Sequence, residues 1–317
     1  MAEWSCSGLQ IRLRRFDSDL SLQNKMKNIN KAIIPVAGLG TRMLPATKAI
    51  PKELLPIIDK PLIQYVVDEA ISAGIKEIIF ITRSGKQAIE NHFDFNYELE
   101  HRLKDKKKKG ILRSLKGVIP SDVKISSIRQ EDALGLGHAI LCAHHLIKEE
   151  PFAVLLPDEY LLSDHNSFDL KNMVKNFNTN GVGQILIEKI GPNEVSNYGI
   201  VNVKKKSKLL NDKIRINDLV EKPKKSKNKI NYRIVGRYIL PPEILNILKK
   251  ERFKFGKELE LTKALQDFIK NDGRLDGLLT KSEIFDCGSK KGFIGANIAS
   301  AIQDKEMKKY ILKILKI

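Results

Sequence analysis

Short unbroken apolar runs alternate with amphipathic stretches through the first half of this chain. Residues 31–37, KAIIPVA, are rich in isoleucine and valine and predict a buried strand. Ile63, Val66, Val67, Ala70 and Ile71 then recur at helical spacing, and Gly74 supplies a C-terminal stop for that helix. Residues 78–81 are apolar without a break and predict a second buried strand. Strand, glycine-rich loop, helix and strand in this order make a βαβ unit. Such a unit commits its strands to parallel pairing and puts the loop at their carboxyl edge, where ligands bind.

Downstream, residues 86–116 are polar, charged and helix-prone, with Phe93, Phe95, Tyr97 and Leu99 near the middle, and predict a helical excursion outside the sheet. Residues 125–129 predict a short strand, and residues 133–139 a second glycine-rich turn that enters a helix. A buried strand over 152–156, a helix over 170–177 and a strand over 184–190 follow. Pro241-Pro242-Glu243 opens a further helix, because proline is tolerated in a first turn. Ile294, Ile298, Ile302, Ile311, Leu312 and Leu315 mark residues 292–317 as one long amphipathic helical tail, suited to capping the domain or packing on another subunit. The class is α/β, with a mostly parallel, Rossmann-like central sheet flanked by helices.

Composition narrows the function. A chain of 317 residues with 42% hydrophobic content buries a substantial core, as one large domain or one domain with an insertion. No apolar run is long enough to span a membrane, and the first residues lack the apolar stretch of a signal peptide. Cys6, Cys142 and Cys287 are too scattered for a disulfide scaffold, which fits a reducing compartment, so the expected location is the cytoplasm. The net charge of +18 raises a nucleic-acid partner as one reading. Against it, the lysines at 106–109, 204–208 and 224–229 sit apart, with few aromatics interleaved for base stacking. A solvated basic surface that also attracts anionic substrates fits better, and no nucleic-acid partner is expected.

The chemistry starts in the loop after the first strand, Gly38-Leu39-Gly40-Thr41-Arg42. Its bare backbone leaves N–H groups to face an anion, Arg42 offers a planar charged fork, and Lys48 and Lys52 add point charges. The composite suits a polyphosphate. It is neither a P-loop nor a dinucleotide fingerprint, since Met43 stands where the latter needs its third glycine. Asp158 ends the strand over 152–156, a position suited to holding magnesium or, equally, to making a turn. Glu221 and Lys222 are either an exposed ion pair or a ligand-binding pair. His138 and Cys142 lie four apart on one helix, a spacing zinc accepts, but no second ligand pair stands nearby, so packing or capping is expected there.

These stretches stand in a known order. Residues 37–53, AGLGTRMLPATKAIPKE, followed by Lys60-Pro61, resemble the signature of bacterial nucleoside-diphosphate-sugar pyrophosphorylases. The resemblance extends through Arg129-Gln130, Gly135-Leu136-Gly137-His138-Ala139, Pro157-Asp158, Tyr198-Gly199, Val220-Glu221-Lys222-Pro223, Ile234-Val235-Gly236-Arg237-Tyr238 and Asp286-Cys287-Gly288. It covers residues 31–292. Residues 1–28, with Arg12, Arg14 and Arg15, match nothing in the family and are expected to be a flexible leader.

The resemblance implies a nucleotidyltransferase fold over 29–292, with a nucleotide part over 29–165 and a smaller sugar-binding part over 166–285, then a tail over 293–317. It implies transfer of a uridylyl group from UTP to glucose 1-phosphate, giving UDP-glucose and diphosphate, with Mg2+ as cofactor in a homo-oligomer. Arg42, Lys52 and Lys222 take the catalytic roles by this resemblance, and Asp158 and Asp286 hold the metal. Ala37, Gly38, Gly40, Thr41, Gln130 and Gly135 bind the nucleotide, while Tyr198, Gly199, Glu221 and Lys222 bind the sugar phosphate. Glu159 is left without an assigned role. The poorest match is residues 256–262, where Lys257 and Glu260, with Lys263 just beyond, replace the family's usual residues and put the details of the sugar side in question. The alternatives are a thymidylyltransferase or another sugar-1-phosphate nucleotidyltransferase and, from a different class, a non-catalytic nucleotide or nucleic-acid binder.

Overall fold

The structure is a computed structural model that describes residues 28–106, 108–116, 118–163, 168–203, 212–226, 228–251 and 258–316. The expected leader, but for Asn28, and Lys257 lie outside the described residues.

In chain order the strands are β1 (Lys31–Pro35), β2 (Pro56–Ile57), β3 (Lys60–Pro61), β4 (Glu77–Thr82), β5 (Lys124–Arg129), β6 (Phe152–Leu155) and β7 (Glu159–Leu162). They continue as β8 (Gly183–Ile190), β9 (Gly199–Asn202), β10 (Lys213–Arg215), β11 (Asp218–Glu221), β12 (Asn231–Leu240), β13 (Leu275–Leu279) and β14 (Glu283–Asp286). The main sheet runs in the order β10-β13-β8-β12-β6-β1-β4-β5, with β9 pairing β12 and β11 in turn pairing β9. β6, β1, β4 and β5 are mutually parallel, as the βαβ pattern predicts. The sheet as a whole is mixed, because β12 runs antiparallel between β6 and β8. The chain leaves β8 at its carboxyl end and builds β9, β10 and β11. It re-enters with Asn231 opposite Ile190, so β12 runs back along its neighbour.

Alternate strand residues bury on opposite faces, as a sheet covered on both sides requires. Ile33, Ile79, Ile81 and Val154 pack with the helices Leu136–Cys142, Glu243–Lys250 and Leu261–Lys270. Ile34, Phe80 and Leu155 pack on the other side with the helices Leu62–Ser72 and Phe168–Asn180.

Within the Leu62–Ser72 helix a carboxylate, Glu69, is buried among the apolar residues because Arg237 of β12 grips it, Nε and Nη2 donating at 3.0 and 2.8 Å. The same guanidinium, 1% exposed, donates to the carbonyls of Leu156 and Glu159 at 3.0 Å each. It thus ties the helix to the turn that carries Asp158.

The excursion after β4 is three short helices, Gln87–Phe93, Tyr97–Asp105 and Lys109–Lys116. The tail is two helices, Lys290–Gln303 and Lys305–Leu315, where the sequence pattern predicts one. Asp304 makes the break: its extended backbone ends the first helix, and its carboxylate caps the second by accepting from the N–H groups of Glu306 and Met307 at 2.9 and 2.8 Å. Among the described residues, no helix is long and apolar enough to cross a membrane.

Candidate active site

Three chain segments leave the parallel strands β1, β5 and β6 at one carboxyl edge, with β4 standing between β1 and β5. The glycine loop follows β1, Gln130 follows β5 on one side, and Asp158 follows β6 on the other. Gly40 sits at φ 68, the left-handed region that favours glycine, and a side chain there would lie 3.2 Å from Lys52 Cβ and 3.3 Å from Thr47 Cγ2. The Thr47 hydroxyl closes the turn by donating to the Gly40 carbonyl at 2.7 Å. Thr41 opens the short helical turn Thr41–Met43, Ala37 is buried beneath it, and Lys48 is exposed.

Lys52 joins loop to strand end. Its ammonium lies 3.7 Å from where a Gly38 side chain would begin and donates to Asp158 Oδ2 at 2.6 Å. Burial works to lower the Lys52 ammonium, but the Asp158 and Glu53 carboxylates outweigh it and hold it above its ordinary value. Burial likewise pushes the Asp158 carboxyl up, and Lys52 more than offsets this, leaving it below the usual range. Both groups stay charged at neutral pH. Behind them Lys86 donates to Glu53 at 2.7 Å in a buried ion pair.

Asp286 reaches the same place from the far end of the chain. β14 pairs antiparallel with β7, setting Asp286 opposite Glu159, and Cys287 N–H donates to the Asp158 carbonyl at 2.8 Å. Arg42 bridges the two carboxylates, 3.3 Å from Asp286 and 3.8 Å from Asp158. All three meet at Gly288, where an added Cβ would sit 2.5 Å from Arg42 Nη2, 3.0 Å from Asp286 Oδ1 and 3.1 Å from Asp158 Oδ2. Among the described residues no group of three or more His, Cys, Asp or Glu is arranged around a metal. Two hard carboxylates converging at Gly288, where no side chain intrudes, are the donor type that an ion such as Mg2+ prefers, with Arg42 and Lys52 now supplying their counter-charge. Glu159 is not free to join them: its carboxylate is buried, accepting from Arg233 Nη1 at 3.0 Å and from the Gly236 N–H. Among the described residues no third His, Cys, Asp or Glu joins His138 and Cys142 as a metal ligand, and the Cys142 sulfur lies 3.9 Å from His138 Nε2.

Beside this rim a cleft of about 410 Å³ collects Tyr198, Gly199, Glu221, Lys222, Glu258 and Thr262. Glu221 accepts from the Thr262 hydroxyl at 2.8 Å and lies 3.6 Å from the Lys222 ammonium. Lys222 holds an unusual backbone φ of 42, fixed by its N–H donating to the Tyr198 carbonyl at 3.2 Å. Arg233 stacks 4.3 Å above the Tyr198 ring while gripping Glu159, so one guanidinium ties the cleft to the Asp158 turn. Glu260 lines the cleft, whereas Lys263 turns to an ion pair with Glu251.

The second glycine turn docks on the same cleft wall. Gly135 sits at φ 91 with the Leu259 carbonyl only 2.9 Å from where its side chain would be, and Gly137 N–H donates to that carbonyl at 2.8 Å. Gln130 Nε2 donates to the Gly135 carbonyl at 3.2 Å. Arg42, Lys52, Asp158 and Asp286 are therefore gathered at the rim, Tyr198, Gly199, Glu221 and Lys222 in the cleft, and Gln130 with Gly135 at the second glycine turn. Sequence reasoning missed the supporting charges Glu69, Lys86, Arg233 and Arg237; for Glu69, Arg233 and Arg237 the available signal was a charged residue inside an otherwise buried segment, whereas Lys86 is flanked by exposed residues.

A glycine-rich loop, paired carboxylates at a strand edge and a polar cleft alongside are the arrangement of a nucleotide-handling enzyme. The nucleotidyl transferase family pattern spans residues 31–302, and the chain belongs to that family. Within it, the chain is 42% identical to the UTP–glucose-1-phosphate uridylyltransferase of Haemophilus influenzae, over 90% of this chain and 99% of that one. It is 44% identical to the enzyme of that name from Escherichia coli K12, over 87% and 91%. A solved UTP-bound UGPase from Acinetobacter baumannii superposes with a TM-score of 0.83 at 38% identity, covering 90% of this chain and 98% of that chain.

Proposed function

We propose that this chain transfers a uridylyl group from UTP to α-D-glucose 1-phosphate, forming UDP-glucose and diphosphate. The observation that carries this reading is the meeting of Arg42, Lys52, Asp158 and Asp286 beside the glycine loop, next to a cleft holding Glu221 and Lys222. A phosphate oxygen of glucose 1-phosphate attacks the α-phosphorus of UTP, the bond from that phosphorus to the β-phosphate's bridging oxygen breaks, and diphosphate leaves. No protein nucleophile is required, so positioning and charge carry the rate.

Each part has a role in this reading. Backbone N–H groups around Ala37, Gly38, Gly40 and Thr41 cradle the phosphates, and Arg42 and Lys52 hold the departing diphosphate. Gln130 and the backbone at Gly135 read the uracil edge. Lys222 brings up the attacking phosphate, Glu221 accepts from hexose hydroxyls, and Tyr198 with Gly199 lines the sugar pocket. Asp158 and Asp286 hold Mg2+, which when bound neutralises charge gathering at the α-phosphorus. Residues 29–165 form the nucleotide part and 166–285 the sugar part. The exposed stripe Ile294, Ile298 and Ile302 supports a homo-oligomer, the scattered cysteines support a reducing, cytoplasmic setting, and the separated lysine clusters speak against a nucleic-acid partner.

The test is diphosphate release over a grid of nucleoside triphosphates and sugar 1-phosphates. UTP with glucose 1-phosphate should dominate. A preference for dTTP, which differs from UTP at the base by one methyl group, would make the chain a thymidylyltransferase; nucleic-acid binding without diphosphate release would end the enzymatic reading.

A further inference from the structure

One amide beside the proposed base site has its orientation fixed by its neighbours. Gln130 is 6% exposed, and its backbone N–H donates to the Thr82 carbonyl at 2.8 Å, so it is anchored at the end of β5. Its side-chain Nε2 lies 3.2 Å from the Gly135 carbonyl oxygen and 2.9 Å from His138 Nδ1. A backbone carbonyl only accepts, so the amide must turn its NH2 toward Gly135. The same nitrogen then donates its second hydrogen to His138, so Nδ1 must carry a lone pair and the ring proton must sit on Nε2. That proton faces the Cys142 sulfur, a weak acceptor, 3.9 Å away. Gln130 Oε1 has no hydrogen-bond partner among the described residues and is the part of the amide left for a ligand.

We propose that His138 is a positioning residue for base selection: by accepting from Gln130 it fixes Oε1 as a lone acceptor, which pairs with a pyrimidine N3–H and repels the N3 lone pair of cytosine. The proposal rests on the reading of Gln130 as a base reader. Flipping the amide would set its oxygen against the Gly135 carbonyl and would require His138 to move its proton to Nδ1, giving up the Nε2–H contact with the Cys142 sulfur. Partial burial pushes the His138 imidazole below its ordinary value, against the pull of Asp132, which favours the neutral ring this arrangement needs.

The experiment is steady-state kinetics of the full chain with UTP and CTP. His138→Leu removes the acceptor, whereas His138→Asn keeps an oxygen near the place of Nδ1. His138→Leu should raise KM for UTP roughly tenfold, with kcat changing less, and lower the UTP-to-CTP ratio of kcat/KM by about the same factor, the worth of one neutral hydrogen bond. His138→Asn should restore most of that ratio, and KM for glucose 1-phosphate should stay put in both. Unchanged discrimination in His138→Leu overturns the proposal. Gln130→Leu separates the two levels: if it too leaves the ratio unchanged, the reading of Gln130 fails, and if it alone collapses the ratio, only the role of His138 fails. The ring-nitrogen spectrum of the wild-type protein adds a readout that needs no variant to fold, and an Nδ1-protonated neutral ring would overturn the proposal.

Discussion

The nucleotide rim and the sugar cleft are built from the same currency, charge, in opposite ways. At the rim the charges are already spent on one another. Lys52 holds Asp158, Arg42 spans Asp158 and Asp286, and Glu53 with Lys86 supports them from below. In the cleft the Lys222 side chain is 62% exposed, and Glu258 and Glu260 stand open to solvent. The half-buried pair Lys52 and Asp158 is thus set before substrate arrives, while Arg42, 61% exposed, and Lys222, beside Glu221, are the cations left open to an incoming anion. Pre-organisation belongs where charge changes during reaction, and openness where a substrate must enter.

The harshest test of this contrast is Asp158→Asn. It removes one carboxylate from the Gly288 cradle and takes from Lys52 its closest counter-charge, so kcat should fall by roughly a thousandfold or more at saturating Mg2+, with the folded state retained. Diphosphate release alongside circular dichroism checks it. Near-normal turnover would remove Asp158 from the metal site.

Next comes the clamp beneath the rim. Arg237→Met strands the Glu69 carboxylate in the core and frees the carbonyls on both sides of Asp158, so urea unfolding should show a loss of about 3–5 kcal/mol. Replacing both partners, Arg237→Met with Glu69→Leu, should recover much of it, because the cost lies in the unpaired buried charge. A single-variant loss below about 1 kcal/mol would mean the rim is held by packing alone.

In the cleft, Lys222→Ala should cost roughly a hundredfold in kcat/KM for glucose 1-phosphate while leaving KM for UTP within a few-fold, if the cleft that the lysine lines is the proposed sugar site. Equal losses for both substrates would erase the division between the two regions.

How much of this was legible follows the same divide. The rim's loop is written in one run, residues 37–53, because one turn must supply backbone, fork and ammonium together. Asp158 was visible as the end of an apolar strand. Its meeting with Asp286 was implied by family resemblance and not by spacing, since the pairing of β14 with β7 joins residues over a hundred positions apart. The antiparallel course of β12 was not visible either. Its residues read equally well in either direction, and what decides is the end at which the chain re-enters. Glu159 illustrates a further limit: it follows Asp158 directly, but it opens β7 while Asp158 lies in the preceding turn, and its carboxylate is consumed by Arg233 and Gly236. The tail's break at Asp304 was hidden because the apolar spacing runs on across it, and a cap is a matter of one side chain's hydrogen bonds.

The gentlest predictions separate the two cleft-side departures from the family pattern. Glu260 lines the cleft, so Glu260→Gln should shift KM for glucose 1-phosphate by about two- to fivefold through the lost negative charge near Lys222. Lys263 sits on the same short stretch but points its ammonium at Glu251, and its 60% exposed side chain makes that ion pair a surface one. Such pairs contribute about 0.5 kcal/mol, so Lys263→Ala should leave KM within twofold and move the urea midpoint only slightly. A larger change in KM for Lys263→Ala than for Glu260→Gln would mean that the helix Leu261–Lys270 turns its opposite face to the sugar, and the cleft would need to be redrawn around it.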